Sequence, residues 1–151
     1  MNKLLVAFFI SMLPVSELRG GMIFASASGI PFVEAFLICF LGNILPVPFL
    51  LLFVRRILTF LERFRYTKGI VTGLESRVRA KSDKVKKYQL FGLFLLVAVP
   101  LPGTGAWTGA LVAAGLDHRI KRAFPMIALG VFFAGIIMSI LSYLVPGLFF
   151  E

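Results

Sequence analysis

Four long runs without a charged residue constrain the folds open to this chain. The runs are Leu4–Ser16, Ala35–Val54, Tyr88–Leu116 and Ala123–Phe150. Hydrophobic residues make up 59% of the chain and charged residues only 15%, which excludes a soluble single-core domain and a disordered chain. A single cysteine excludes a disulfide scaffold. We therefore expect an all-α integral membrane protein.

Two of these runs are long enough to cross a membrane as single helices. The second run has 20 residues and the fourth has 28, and about 20 apolar residues cross the roughly 30 Å hydrocarbon core. We predict transmembrane helices at residues 34–54 and 119–148.

The third run is interrupted at its centre by two prolines and two glycines, within residues 99–105. These residues do not continue a helix, and each remaining arm is about 17 Å long, or roughly half a bilayer. Basic residues flank both ends of the run, and the positive-inside rule keeps both flanks in the cytoplasm. We therefore predict a re-entrant helical hairpin over residues 88–116.

The N-terminal third of the chain has a similar pattern. Two apolar arms, Leu4–Leu13 and Met22–Val33, flank a polar, glycine-rich break at Pro14–Gly21. We predict a re-entrant hairpin over residues 1–33. It lies on the outer side, opposite to the other hairpin, because the following span then runs from outside to inside.

The two halves match when the chain is shifted by 88 residues. Each half, 1–54 and 88–151, then contains a hairpin followed by a span, and the halves enter from opposite faces. Inverted repeats with broken helices are typical of secondary transporters. The identical pairs are Leu13/Leu101, Pro14/Pro102, Gly21/Gly109, Ala25/Ala113, Ala35/Ala123, Phe36/Phe124, Leu41/Leu129 and Gly42/Gly130.

Most of the excess positive charge lies between the repeats, in residues 55–87. Eleven basic residues stand there against three acidic ones. We predict a cytoplasmic linker of amphipathic helices on the inner leaflet. A nucleic-acid partner is not expected, because apolar runs frame this basic block.

Both predicted hairpin tips contain candidates for a substrate or ion site. Glu17 and Arg19 lie at the first tip, where each charge costs about 2.5–3.5 kcal/mol in a membrane unless it is paired or hydrated. The alternative is an anchor among the outer headgroups. The second tip has no charge, but its backbone amides suit a phosphate or carboxylate; the alternative is a packing break. Its candidates are Pro102, Gly103, Thr104, Gly105, Trp107 and Thr108.

Three further residues are candidates in the spans. Asn43 precedes two prolines in the first span, which suggests either an unwound site or a hydrogen bond across helices. Arg119 and Arg122 open the second span and would contact a phosphate or act as positive-inside anchors; the pattern favours anchors. No nucleophile–base pair and no metal-ligand set is visible, so we expect no enzyme activity, cofactor or metal.

Three motifs, at Leu13–Gly21, Gly42–Phe49 and Pro100–Gly109, resemble the small multidrug export protein family. That family resembles a branch of the DedA (VTT-domain) superfamily, whose members have two re-entrant hairpins in inverted topology. Better-studied members are implicated in flipping lipids such as undecaprenyl phosphate, coupled to protons or sodium. Glu17 matches an acidic residue of their first hairpin, whereas the basic residues of their second hairpin are missing here.

The resemblance implies an ion-coupled flippase of an anionic lipid such as a polyprenyl phosphate. The alternatives are an ion-coupled exporter of small cationic compounds and a non-transporting membrane scaffold. Two spans alone do not easily enclose a pathway, so we expect a homodimer among the membrane lipids. We expect its location to be the cytoplasmic membrane of a bacterium or archaeon.

Overall fold

The computed structural model describes residues 2–61, 83–101, 103–116 and 118–144. Within these ranges the chain is all-helical, as predicted, and contains no strand. Most of the predicted linker helices lie outside the described residues. The helices are α1 (Lys3–Met12), α2 (Glu17–Ala27), α3 (Phe32–Ile44), α4 (Pro46–Leu61), α5 (Asp83–Ala98), α6 (Ala106–Gly115) and α7 (Ile120–Ser139), which continues as a π-helical turn over Ile140–Leu144.

Two stretches of helix are long and apolar enough to cross a membrane. They are Phe32–Phe60, formed by α3 and α4, and Ile120–Leu144, formed by α7 and its π-helical turn. The first begins near the predicted start at residue 34, but it continues beyond residue 54 into the segment predicted as linker. Apolar residues recur at helical spacing beyond residue 54, so α4 continues there as one helix.

The first stretch is interrupted at Leu45, between α3 and α4. The backbone of Leu45 stays helical, and its N–H donates to the carbonyl of Leu41 at 3.0 Å. Pro46 then begins α4, because proline lacks the N–H that the next helical hydrogen bond requires but fits the first position of a helix. Pro46 therefore divides the span one turn of helix or less after Asn43.

The break in the first hairpin is shorter than the sequence predicts. It covers residues 13–16, because α2 begins at Glu17, whose N–H donates to the Leu13 carbonyl at 2.9 Å. Gly20 and Gly21 lie inside this helix and not in a loop. Gly21 is required by packing, since a Cβ there would overlap the Ser11 hydroxyl of α1. The second arm also ends earlier than predicted, at Ala27.

The second hairpin has its break where the sequence places it, between α5 and α6. However, α5 begins at Asp83 and has 16 residues, which makes it about 24 Å long. The first arm is therefore longer than the predicted half-bilayer helix, because the polar residues before Tyr88 also adopt helix.

Paired glycines of the two sequence halves lie at equivalent close contacts. A Cβ at Gly21 would meet Ser11 Oγ first, and a Cβ at Gly109 would meet Val97 Cγ2 first, at 2.5 Å; both atoms belong to the first helix of the same half. Gly42 and Gly130 each lie against a main-chain oxygen of the first helix of their own half, Phe8 O at 2.5 Å and Phe94 O at 3.0 Å from an ideal Cβ. In each half, both glycines therefore lie where the first helix approaches closely.

The two halves contact each other through several helices. Helices α2 and α3 pack on α7, and α4 packs on α6. Small residues fill much of the interior, as is common where membrane helices approach closely. Large apolar side chains instead cover the outside, a surface that suits lipid better than water. The fully buried alanines are Ala7, Ala25, Ala35, Ala106, Ala110, Ala113 and Ala123, and the most exposed phenylalanines include Phe9, Phe49, Phe53 and Phe60.

Candidate functional site

The loops of the two hairpins lie against each other. We call this contact the tip junction; it comprises residues 12–19 of the first hairpin and, of the second, residues 99–101 and 103–107. Three side chains connect the two sides, namely Glu17, Arg19 and Trp107. The tip junction therefore brings together the charged pair of the first tip and the glycine-rich second tip.

Glu17 lies at the N-terminus of α6. Its Oε1 accepts a hydrogen bond from the backbone N–H of Trp107 at 3.3 Å, and the residue is only 5% exposed. Unpaired amides and the helix dipole make such an N-terminus favourable for an anion. The sequence predicts that this tip attracts a carboxylate or phosphate, and in the structure the chain's own carboxylate lies there.

Gly105 makes this close approach possible. A Cβ at this position would overlap the Glu17 carboxylate. The backbone φ of Gly105 is +137°, a conformation that residues with a side chain rarely adopt. Both the space and the backbone conformation therefore require glycine at residue 105.

Glu17 itself has an unusual backbone conformation. Its φ is +49°, and it is the only non-glycine residue with a positive φ among the described residues. Such a conformation costs on the order of 1–3 kcal/mol and persists only where the surroundings impose it. Here the Leu13 carbonyl and the α6 N-terminus hold the residue from both sides.

Arg19 binds the opposite end of the second tip. Its guanidinium donates to the carbonyls of Leu101 and Val99, the latter at 3.3 Å, and to the hydroxyl of Thr104 at 2.8 Å. Carbonyls that follow the end of a helix lack intrahelical partners and carry partial negative charge. Each charge of the pair therefore faces the helix end of opposite polarity: Glu17 faces the start of α6, and Arg19 faces the end of α5.

Thr104 organises the second tip. Its hydroxyl lies 2.8 Å from the carbonyls of both Val99 and Leu101, and it accepts from the Leu101 N–H at 3.3 Å. Thr108 closes the other side of the loop by donating to the Gly103 carbonyl at 3.0 Å. The Thr104 bonds orient the Val99 and Leu101 carbonyls that Arg19 binds. This role explains a hydroxyl residue in an otherwise apolar hairpin.

The hydrogen bonds across the tip junction are reciprocal. Arg19 and Trp107 are matched positions in the 88-residue shift. Arg19 donates to carbonyls of the second tip, and the Trp107 indole N–H donates to the Met12 carbonyl of the first tip at 3.2 Å. Glu17 and Gly105 are also matched positions, and they are in direct contact.

Asn43 lies beside the tip junction, in the last turn of α3. The side chain is 3% exposed, and its Oδ1 has no hydrogen-bond partner among the described residues. The predicted hydrogen bond across helices is therefore not made by this atom. Asn43 lines a small cavity of about 10 Å³, close to the smallest volume that holds one water molecule. The other lining residues are Glu17, Leu18, Arg19, Val97, Gly105, Ala106, Val131 and Ala134.

Three predicted site residues are not brought to this place by the described structure. Arg119 and Arg122 are exposed at the start of α7 and line neither the small cavity nor a larger groove that runs along α4. Pro102 lies outside the described residues. Among the residues that the structure describes, no group of three or more His, Cys, Asp or Glu side chains is placed to hold a metal ion.

A groove along α4 is a feature that sequence reasoning missed. It has a volume of about 1060 Å³ and extends from Trp107 to two arginines near the end of α4. The spacing of Phe49, Phe53 and Phe60 on one helical face is the signal for its apolar wall. In the sequence, Phe49 and Phe53 fall in the predicted span at residues 34–54, and Phe60 falls in the basic block at residues 55–87. The groove is lined by Pro46, Phe49, Leu50, Leu52, Phe53, Arg55, Arg56, Thr59, Phe60 and Trp107.

A family model described as "Putative small multi-drug export protein" matches residues 17–137. The chain belongs to this family. The match covers Glu17 and Arg19 of the first tip, the second tip, Asn43 and the groove. Together with the two apolar helices that are long enough to span a bilayer, it identifies a membrane protein of the small multi-drug export family. No curated protein and no solved structure matched the chain.

Proposed function

We propose that this small multi-drug export family member is an ion-coupled transporter of an anionic amphiphile, such as a polyprenyl phosphate. The amphiphile enters the groove along α4, and the tip junction opens and closes its path. The coupling ion acts at Glu17. The observation that carries this proposal is the groove itself, which places aromatic side chains beside two arginines and borders the tip junction at Trp107.

The chemistry of the groove fits a molecule with an apolar chain and an anionic head. Phe49 and Phe53 offer an apolar surface to a hydrocarbon chain. Arg55 and Arg56 follow them along α4, where a guanidinium can bind a phosphate through two parallel hydrogen bonds. From Pro46 to Arg55 the helix extends about 14 Å, so the head and the first part of a chain fit along it.

The architecture that we propose is an inverted repeat of two re-entrant hairpins and two spans. Three observations support it: the matched glycine contacts, the reciprocal bonds of Arg19 and Trp107, and the contact between the two hairpin loops. Broken helices that meet near the bilayer midplane form substrate sites in secondary transporters. Such a protein is multi-pass, and we propose the cytoplasmic membrane of a bacterium or archaeon as its location.

Export of small cationic compounds is the second candidate, and the family description favours it. The aromatic wall of the groove would also stack on an apolar drug. However, the arginines at the groove end repel a cation, and the Glu17 carboxylate is buried against α6. The charge of the groove therefore supports the anionic substrate.

We also propose that the transporter acts as a homodimer. Two spans give little enclosure for a pathway, and large apolar side chains cover much of the outside. A second copy would shield the groove from bulk lipid. This proposal is tested by the mass of the purified protein in detergent and in lipid nanodiscs.

A proteoliposome assay tests the proposed substrate. Labelled polyprenyl phosphate and a cationic dye are compared in vesicles with a pH or sodium gradient. We expect gradient-dependent movement of the phosphate and none of the dye. Arg56→Ala should slow this movement about tenfold, since a charged hydrogen bond is lost. The matched control Lys121→Ala removes an exposed cation of α7 and should have no effect. Movement of the dye alone would instead establish the second candidate.

A further inference from the structure

The side chain of Asn43 is buried with an unused oxygen. It is 3% exposed, and its Oδ1 has no hydrogen-bond partner among the described residues. A buried carbonyl without a partner is unfavourable, so native proteins usually supply a donor or a cation. The position of this oxygen therefore indicates a ligand that the protein's own described groups do not provide.

A second buried residue with side-chain oxygens lines the same cavity. Glu17 is 5% exposed and lines the cavity together with Asn43. Its Oε1 accepts from the Trp107 amide, but a carboxylate has about four lone-pair positions and retains capacity for further partners. The cavity of about 10 Å³ has room for one particle of the size of a water molecule.

We propose that the Glu17 carboxylate and Asn43 Oδ1 form the binding site for one small cation, either a proton carried by Glu17 or Na⁺. Oxygen atoms are the preferred ligands of such hard cations. In the proton form, the Glu17 carboxyl donates to Asn43 Oδ1, directly or through one water. In the sodium form, both oxygens coordinate the ion. This inference rests on the proposed ion-coupled function and assigns Asn43 a part in it.

The charges around the cavity are compatible with such a site. Arg19 is the only other charged residue that lines it among the described residues, and its guanidinium is directed at the carbonyls of the second tip. The walls contributed by the packed helices are uncharged: Val97 from α5, Ala106 from α6, and Val131 and Ala134 from α7. No second titratable side chain of these helices therefore lines the cavity to compete for the cation.

Cation binding at this site would act directly on the tip junction. The negative charge of Glu17 holds the N-terminus of α6 through the Trp107 amide. A bound proton or Na⁺ neutralises that charge and weakens this hold. The occupancy of the site would therefore control whether the two hairpin tips stay together, which is what coupling of an ion to transport requires.

The test measures cation binding by the purified full chain in detergent, without any transported substrate. Thermal stability is recorded in NaCl and in choline chloride at equal ionic strength, from pH 5 to pH 9, and binding of ²²Na⁺ is measured directly. A stability gain from Na⁺ with ²²Na⁺ binding identifies sodium. A stability change with pH that is indifferent to Na⁺ identifies the proton.

Variants of Asn43 decide whether the proposed pair forms the site. Asn43→Leu keeps the size but removes the oxygen, and it should weaken Na⁺ binding, or shift the pH midpoint, by about tenfold. Asn43→Asp keeps an oxygen ligand and adds a second titratable carboxylate beside Glu17, so it should retain Na⁺ binding and change the pH midpoint. Ser139→Ala removes a buried hydroxyl of α7 that does not line the cavity and is the matched control. A wild-type response in Asn43→Leu, or no response of the wild type to either cation, would overturn the inference.

The outcome is separable from that of the proposed function. The protein could bind a cation in a way that depends on Asn43 and yet not move polyprenyl phosphate in vesicles. That result would refute the proposed substrate and retain the cation site. Gradient-driven movement of polyprenyl phosphate with a wild-type response in Asn43→Leu would refute the cation site and retain the function.

Discussion

The substitution Gly105→Ala tests the contact between the two hairpin tips. Two costs add at this position. The φ of +137° is unfavourable for alanine by about 1–3 kcal/mol. The new Cβ would also overlap the Glu17 carboxylate and displace it from the α6 N-terminus, and the lost charged hydrogen bond costs about 1.5–3 kcal/mol. We therefore expect a total destabilisation of about 2.5–6 kcal/mol.

Two other glycines serve as matched controls for these costs. Gly103 has a φ of +80° but open space around its Cβ position, so Gly103→Ala should show only the backbone cost of about 1–2 kcal/mol. Gly92 has open space and lies inside α5, so Gly92→Ala should be neutral or stabilising by up to about 1 kcal/mol. At about 2–4 °C per kcal/mol for a chain of this size, the Tm should fall by about 5–24 °C for Gly105→Ala and by about 2–8 °C for Gly103→Ala.

The assay is thermal unfolding of each purified variant in one detergent, followed by the fluorescence of the single tryptophan. A double-mutant cycle isolates the carboxylate contact. In a Glu17→Ala background, Gly105→Ala should cost only the backbone term, about 1–3 kcal/mol. Equal Tm changes for Gly105→Ala and Gly103→Ala would contradict this expectation. So would a cost of Gly105→Ala that is the same in the Glu17→Ala background as in the wild type.

Three further predictions concern topology, coupling and the repeat. Single cysteines are introduced at Asn2, Lys87 and Arg119 in a Cys39→Ala background. An impermeant thiol reagent applied to intact cells should label only the cysteine at position 2. Labelling at just one of positions 87 and 119 would show that the segment between them crosses the membrane. Glu17→Gln should abolish gradient-driven transport of polyprenyl phosphate in vesicles while leaving the protein folded and inserted, and a wild-type rate with wild-type pH dependence would contradict this. Gly42→Ala and Gly130→Ala should each lower the Tm, because each Cβ would meet a main-chain oxygen at 3.0 Å or less; an effect of only one would mean that the two halves do not pack alike.

The helices and the approximate spans follow from the sequence because they depend on composition and local pattern. The break between α5 and α6 was predictable for the same reason, since the residues from Pro100 to Gly105 cannot continue a helix. The start of α2 was not, because Gly20 and Gly21 usually indicate a loop. Only the packing of Gly21 on α1 explains why they are helical here.

The candidate site was partly predictable. Glu17 and Arg19 are conspicuous as charges in an apolar chain, and the second tip is conspicuous for its prolines and glycines. The partners of these residues depend on contacts across about 80–90 positions of sequence, which no local pattern encodes. The unused oxygen of Asn43 and the arginines of the groove also require three-dimensional placement before their chemistry is visible.

Fluorescence of Trp107 reports binding of an anionic lipid at the groove, because this single tryptophan belongs to the tip junction and also lines the groove. The protein in lipid nanodiscs is titrated with a polyprenyl phosphate, and the neutral polyprenol of equal length is the control. We expect a saturable change of Trp107 emission with the phosphate, a much weaker one with the polyprenol, and loss of the difference in Arg56→Ala. An identical response to both lipids, or no response to either, would show that the groove does not select an anionic head.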